Sequence, residues 1–129
     1  MEDKRNRLVV PRNVVNVKML YTLYILKELS KGEVIFGNKI LSIFRESFTN
    51  SNAPFPISSS TVYETLYSLE ENGYVVSKWS GDEFLNKRSK KIYSITDEGL
   101  KYYKLNIANY VDGIEKTKSS LDIIIKLLK

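Results

Sequence analysis

Four cations, Lys87, Arg88, Lys90 and Lys91, fall within five consecutive residues, and Lys78 precedes them. Cations gathered on one turn suit a row of phosphates, because each one that neutralises a phosphate releases a condensed counterion. Asp82 and Glu83 in the same segment dilute that charge, and a solvated loop is the competing reading. A second group lies upstream. Ser58, Ser59, Ser60 and Thr61 place short hydroxyls and free backbone amides at a predicted helix start, a combination suited to phosphate oxygens. One turn on, Glu64 and Tyr67 share a face with Ser60 and can reach base edges, where a carboxylate accepts from cytosine N4. The segment 59–72 contains no Lys or Arg, so guanine readout and electrostatic affinity have to come from elsewhere. An ordinary solvated face behind a good cap is the alternative.

Other chemistry is scarce. Cysteine and histidine are both absent from the 129 residues. That removes disulfides, thiolate catalysis, zinc ribbons, the commonest general base and the commonest metal ligand. The carboxylates do not converge: Asp97 and Glu98 are helix-starting residues, and Glu70 and Glu71 are surface neighbours. Gly32 and Gly37 lie in a turn between helices rather than in a phosphate loop. The reading is therefore of a protein that is not an enzyme and needs no metal or cofactor. A net charge of +5 and a pI of about 9.3 favour polyanionic partners. The longest apolar run, near 20–26, is broken by Thr22 and ended by Lys27, too short to span a bilayer. Residues 1–7 are charged with no apolar core behind them, unlike a signal peptide. A soluble cytoplasmic protein without membrane contact is expected.

The elements that must position these groups read as follows. Residues 1–12 form a basic arm ending near Pro11. A first helix over 13–30 starts at the N-cap Asn13 and stops at Gly32. Its apolar residues, among them Leu20, Tyr21, Leu23, Tyr24 and Leu26, cover more than one face, which points to burial between two subunits. A second helix over 36–48 turns Ile40, Leu41, Ile43, Phe44 and Phe48 inward. Pro54 and Pro56 mark a loop. The third helix, 59–72, buries Val62, Leu66 and Leu69 and ends at Gly73. Thr61 and Glu64 have capping-box spacing, with Ser58, Ser59 and Ser60 as rival caps. Strand-like runs at 74–79 and 92–95 flank the basic segment. Helix, turn, helix, strand, basic loop and strand make a winged helix-turn-helix.

The last helix starts at Thr96 and runs to Lys129. Along it Tyr103, Ile107, Tyr110, Ile114, Thr117, Leu121, Ile124 and Leu128 alternate by four and three, a heptad pattern that asks for a partner helix. Gly113 and Thr117 weaken its middle and permit a bend. With Leu20 and Tyr24 these residues form the predicted dimer interface. The nine Tyr and single Trp are read chiefly as core and interface. A minority reading is a flat pocket between subunits for a small planar effector. The expected fold is mainly α with a small β-hairpin: an arm at 1–12, a winged helix-turn-helix DNA-binding domain at 13–95, and a long C-terminal dimerisation helix at 96–129.

With its elements in that order, the sequence resembles the PadR family of bacterial and archaeal regulators. Phe36-Gly37-Asn38-Lys39-Ile40 is similar to the family's Tyr-Gly-x-x-Ile. The stretch 60–75, with Tyr63, Leu66, Leu69, Glu70 and Gly73, is similar to its recognition helix and stop. Lys91-Ile92-Tyr93-Ser94-Ile95-Thr96-Asp97-Glu98-Gly99 is similar to Lys-Tyr-Tyr-x-Leu-Thr-x-x-Gly. The likeness runs over about 14–103. It implies a homodimer on a palindromic operator in double-stranded DNA, usually as a repressor, with Tyr63 as a backbone contact. A single long C-terminal helix looks like the smaller branch, some of whose members take planar drugs between paired Trp residues. Here the last helix has no Trp, and Trp79 precedes the wing. Two other roles fit the same fold: a DNA-coating or plasmid-segregation protein, and a protein–protein adaptor whose basic wing meets an acidic partner.

Overall fold

The computed structural model describes residues 15–32, 35–49, 57–79 and 90–129. The arm, Asn13, the loop prolines, and Lys87 and Arg88 lie outside the described residues. Helix α1 spans Val17–Leu29. Its N-cap is Asn16, whose side chain accepts from the Met19 amide at 3.1 Å, so the helix begins later than the sequence suggested. Tyr21, Leu23, Ile25, Leu26 and Leu29 are all buried within the one chain. Much of the broad apolar surface of α1 is thus used inside its own domain.

Strand β1, Ile35–Phe36, precedes helix α2, Gly37–Glu46. The sequence had Phe36 opening the helix and only a two-stranded hairpin. Instead Ile35 and Phe36 pair with Tyr93 and Ile92 and add a third strand. Helix α3, Ser59–Glu71, is capped by Ser58, which accepts from the Thr61 amide at 3.3 Å. Ser58 thereby takes the role that the Thr61–Glu64 spacing suggested for Thr61. Val62, Leu66 and Leu69 are buried, as their periodicity predicted. At the C-terminus the Gly73 amide donates to Glu70 O at 3.1 Å and the Tyr74 amide to Leu69 O at 2.9 Å. This paired closure needs a left-handed residue, and Gly73 supplies it at φ +80°.

Strands β2, Val75–Trp79, and β3, Lys91–Ile95, pair antiparallel from Val75↔Ile95 to Trp79↔Lys91. The sheet order is β1-β3-β2. Helix α4, Asp97–Leu128, has 32 residues and so reaches about 48 Å. Its cap Thr96 accepts from the Gly99 amide at 3.0 Å and donates to Gly73 O at 2.7 Å, which locks the end of α3 to the start of α4. The Tyr74 and Tyr102 rings stack at 4.5 Å across the same junction.

The core lies where α1, α2, α3 and the sheet meet, around Ile25, Leu26, Ile40, Phe44, Leu66 and Val75. Phe44 anchors it, with the Tyr24 ring stacked at 4.3 Å and the Tyr21 ring edge-on at 5.1 Å. Tyr21 Oη also accepts from the Ser58 amide at 3.1 Å, so α1 holds the start of α3. The result is a mainly helical winged helix-turn-helix with a long terminal helix. Among the described residues no helix is long and apolar enough to cross a membrane.

Candidate nucleic-acid interface

Burying Val62, Leu66 and Leu69 turns the opposite face of α3 outward. Ser59, Ser60, Glu64 and Tyr67 are exposed there, and Tyr63 is 43% exposed. Thr61 is half-buried. It lines, with Glu64 and Ser68, an open cleft of about 570 Å³ against Lys18 and Thr22 of α1. The face carries carboxylates and no cation. The neighbouring Glu71 carboxylate raises the Tyr67 pKa above the ordinary 10.0.

Positive charge enters from the root of the wing. Lys90 and Lys91 are exposed beside a groove of about 350 Å³, walled by Phe36, Gly37 and Asn38 at the start of α2, by Tyr63 of α3, and by Trp79 and Tyr93 of the hairpin. Lys90 Nζ lies 5.7 Å from the Phe36 ring centre and Lys91 Nζ 5.6 Å from that of Trp79. The N-cap of α2, Phe36, makes no side-chain hydrogen bond to its first-turn amides. Phe36 and Trp79 were not among the site residues expected from the sequence. Trp79 carried one usable signal, its place at a strand end next to a basic segment. Of the four clustered cations, Lys90 and Lys91 reach this groove; Lys87 and Arg88 fall outside the described residues.

A carboxylate ties α3 to the hairpin. Glu70 Oε2 accepts from Ser77 Oγ at 2.7 Å, joining α3 to β2. Burial raises the pKa of nearby Tyr93, and the charge of Glu70 and the neighbouring Tyr63 add to it.

The residues expected to dimerise divide into two groups. Tyr24 packs on Phe44 of its own chain, where burial raises its pKa. Leu20, Tyr103, Ile107, Tyr110 and Ile114 are half-buried, and Tyr110 Oη donates to Asn16 O at 2.8 Å. Burial raises the Tyr110 pKa as well. Leu121, Ile124 and Leu128 are exposed, along with Ile123, Ile125 and Leu127. One copy of the chain leaves the last turns of α4 uncovered.

Comparison with known proteins gives a consistent picture. The model of the PadR-like family of transcriptional regulators matches residues 23–105. A protein of Thermoplasma acidophilum described as a candidate transcriptional regulator is 28% identical, with a TM-score of 0.54 over 87% of this chain and 93% of that one. A transcriptional regulator from Clostridium thermocellum is 25% identical, with a TM-score of 0.58 over 88% and 94%. PadR of Bacillus subtilis, solved in complex with operator DNA, is also 25% identical; its match has a TM-score of 0.54 and covers 66% of this chain and 45% of that one. No curated protein matches the sequence significantly.

Proposed function

Because the chain belongs to the PadR-like family of transcriptional regulators, we propose that it acts in the cytoplasm as a homodimeric repressor on a palindromic operator. Family and fold are those of DNA-binding regulators rather than of enzymes. The observation that carries the proposal is the adjacency of two surfaces. The exposed face of α3, with Ser59, Ser60, Tyr63 and Glu64, borders the groove holding Lys90 and Lys91. In this reading α3 enters the major groove, Glu64 meets a base edge, and the wing lysines, extended by Lys87 and Arg88, neutralise the adjoining phosphates. Bacillus subtilis PadR is solved in complex with operator DNA, which supports DNA as the partner.

Dimerisation is assigned to α4. Its uncovered seam of Leu121, Ile124 and Leu128 continues the heptad from Tyr103, and a second copy covers it. Near the start of α4, Tyr102 and Tyr103 pack against the winged domain. A planar effector between subunits would have to bind tyrosines, as α4 has no Trp.

Selection of bound sequences from random duplexes, followed by a footprint, tests the proposal. The expected result is one short two-fold-symmetric site, its halves about 34 Å apart. Protection that spreads along the duplex would favour a coating protein. An absence of binding at low salt would favour an adaptor.

A further inference from the structure

We infer that the groove at the wing root seats one sugar–phosphate unit of the DNA backbone, with Trp79 and Phe36 as its apolar contact surfaces. The inference rests on the DNA-binding reading given above. Single exposed hydrophobic side chains need no explanation, but a cluster around one concavity does. Here Phe36 is 38% exposed and Trp79 60% exposed, and with Tyr63 they come from three separate elements to wall the same groove. Trp79 stands outside the buried core and only ends a strand, a task that does not require an indole.

The lysines explain the aromatics. Lys90 and Lys91 each hold an ammonium over a ring face, at 5.7 and 5.6 Å, within the range of a cation–π contact. A lysine held in this way has lost part of its rotamer freedom before binding, so a phosphate that meets it bears less of the ordering cost.

The occupant must offer an anion to the two ammonium groups and C–H surface to the two rings. A deoxyribose with its phosphate offers both. An acidic peptide offers the charge without the fitted apolar face. The position beside the exposed face of α3 places such a unit next to the bases that helix would read.

Trp79 is the only Trp in the sequence, so its emission reports this groove alone. Backbone contacts are independent of sequence, and a labelled duplex of arbitrary sequence at low salt is a sufficient probe. Anisotropy of the label and Trp emission are read in one titration of the full chain. Emission is expected to shift with the same midpoint as anisotropy. Trp79→Ala should weaken binding roughly five- to tenfold, as loss of one partly desolvated cation–π platform implies. Its salt slope should stay unchanged, because Lys91 keeps its charge, and Trp79→Phe should restore most of the affinity. Circular dichroism confirms that each variant is folded. Anisotropy that rises with unchanged emission, together with wild-type affinity in Trp79→Ala, would overturn the groove assignment and leave DNA binding intact. An emission shift of equal size with polyglutamate would overturn the sugar–phosphate occupant. No anisotropy change in the wild-type chain would sink the underlying reading, and this inference with it.

Discussion

Gly37 lies directly beneath the ring of Tyr63: a Cβ at Gly37 would come within 2.7 Å of Tyr63 Cε1. The first residue of α2 is bare so that a side chain of α3 can cross it and reach the wing-root groove. Gly37→Ala therefore separates position from stability. The Tyr63 ring is the exposed end of a side chain and can swing aside, and alanine is favoured over glycine in a helix by up to about 1 kcal/mol. The melting temperature should change little while DNA affinity falls. A large loss of stability with unchanged affinity would contradict this role of Tyr63.

Gly99 behaves in the opposite way. A Cβ there would collide with Tyr74 O, which is backbone and cannot swing away. Gly99→Ala should cost at least about 1–3 kcal/mol, the range for overpacking. Gly113 is a control in the same helix, since a methyl group added there would meet nothing within 4 Å. Gly113→Ala should stabilise the protein by up to about 1 kcal/mol. Thermal melts of both variants check the pair.

The link from Glu70 to Ser77 holds the hairpin against α3. Glu70→Ala should cost about 1.5–3 kcal/mol, as a hydrogen bond to a charged group does. It should also weaken binding at the wing. Glu70→Gln keeps an acceptor and should lose less. Both changes remove a negative charge near Tyr93, so Tyr93 should ionise at a lower pH than in the wild type. Absorbance titration of the phenolates reads that difference.

Stability should be flat between about pH 6 and pH 8, because no His or Cys is present to titrate. Above that range the tyrosines decide. Tyr24, Tyr93 and Tyr110 have folded-state pKa values raised above the ordinary 10.0, chiefly by burial. The folded state thus binds their protons more tightly than the unfolded state does. Their contribution is complete below pH 10 and is lost as pH rises through the raised values. Denaturant melts across pH 7–12 should show a decline confined to the alkaline end. A steep change near neutrality would contradict it.

Leu121→Glu combined with Ile124→Glu should abolish dimerisation without unfolding the winged domain, since both side chains are exposed in one copy. Full burial of each would contribute about 1.5–3 kcal/mol, and charge at those positions forfeits it. Sedimentation should report a monomer with a helical spectrum close to that of the wild type.

Features with a local cause are legible in the sequence. The buried trio of α3 follows from its spacing, Thr96 from its place before Asp97 and Glu98, and Gly73 from the need for a left-handed stop. Strand β1 is not legible, because two residues are too few to show a period of two; Ile35 and Phe36 become a strand only when β3 lies beside them. The start of α1 moves from Asn13 to Asn16 because the two are equivalent as caps in type, and only geometry separates them. The stacking of Tyr24 on Phe44 is not legible either, because Phe44 arrives from a separate helix, α2. The wing-root groove escapes for the same reason. Phe36, Tyr63 and Trp79 are far apart in the chain, and their convergence is a product of the fold.

The most direct test of the central claim is the mass of the complex on a selected duplex, measured by sedimentation equilibrium. Two chains on each duplex are expected, with the protected bases related by a dyad. One chain on a complete site, or a loading that grows with duplex length, would contradict it.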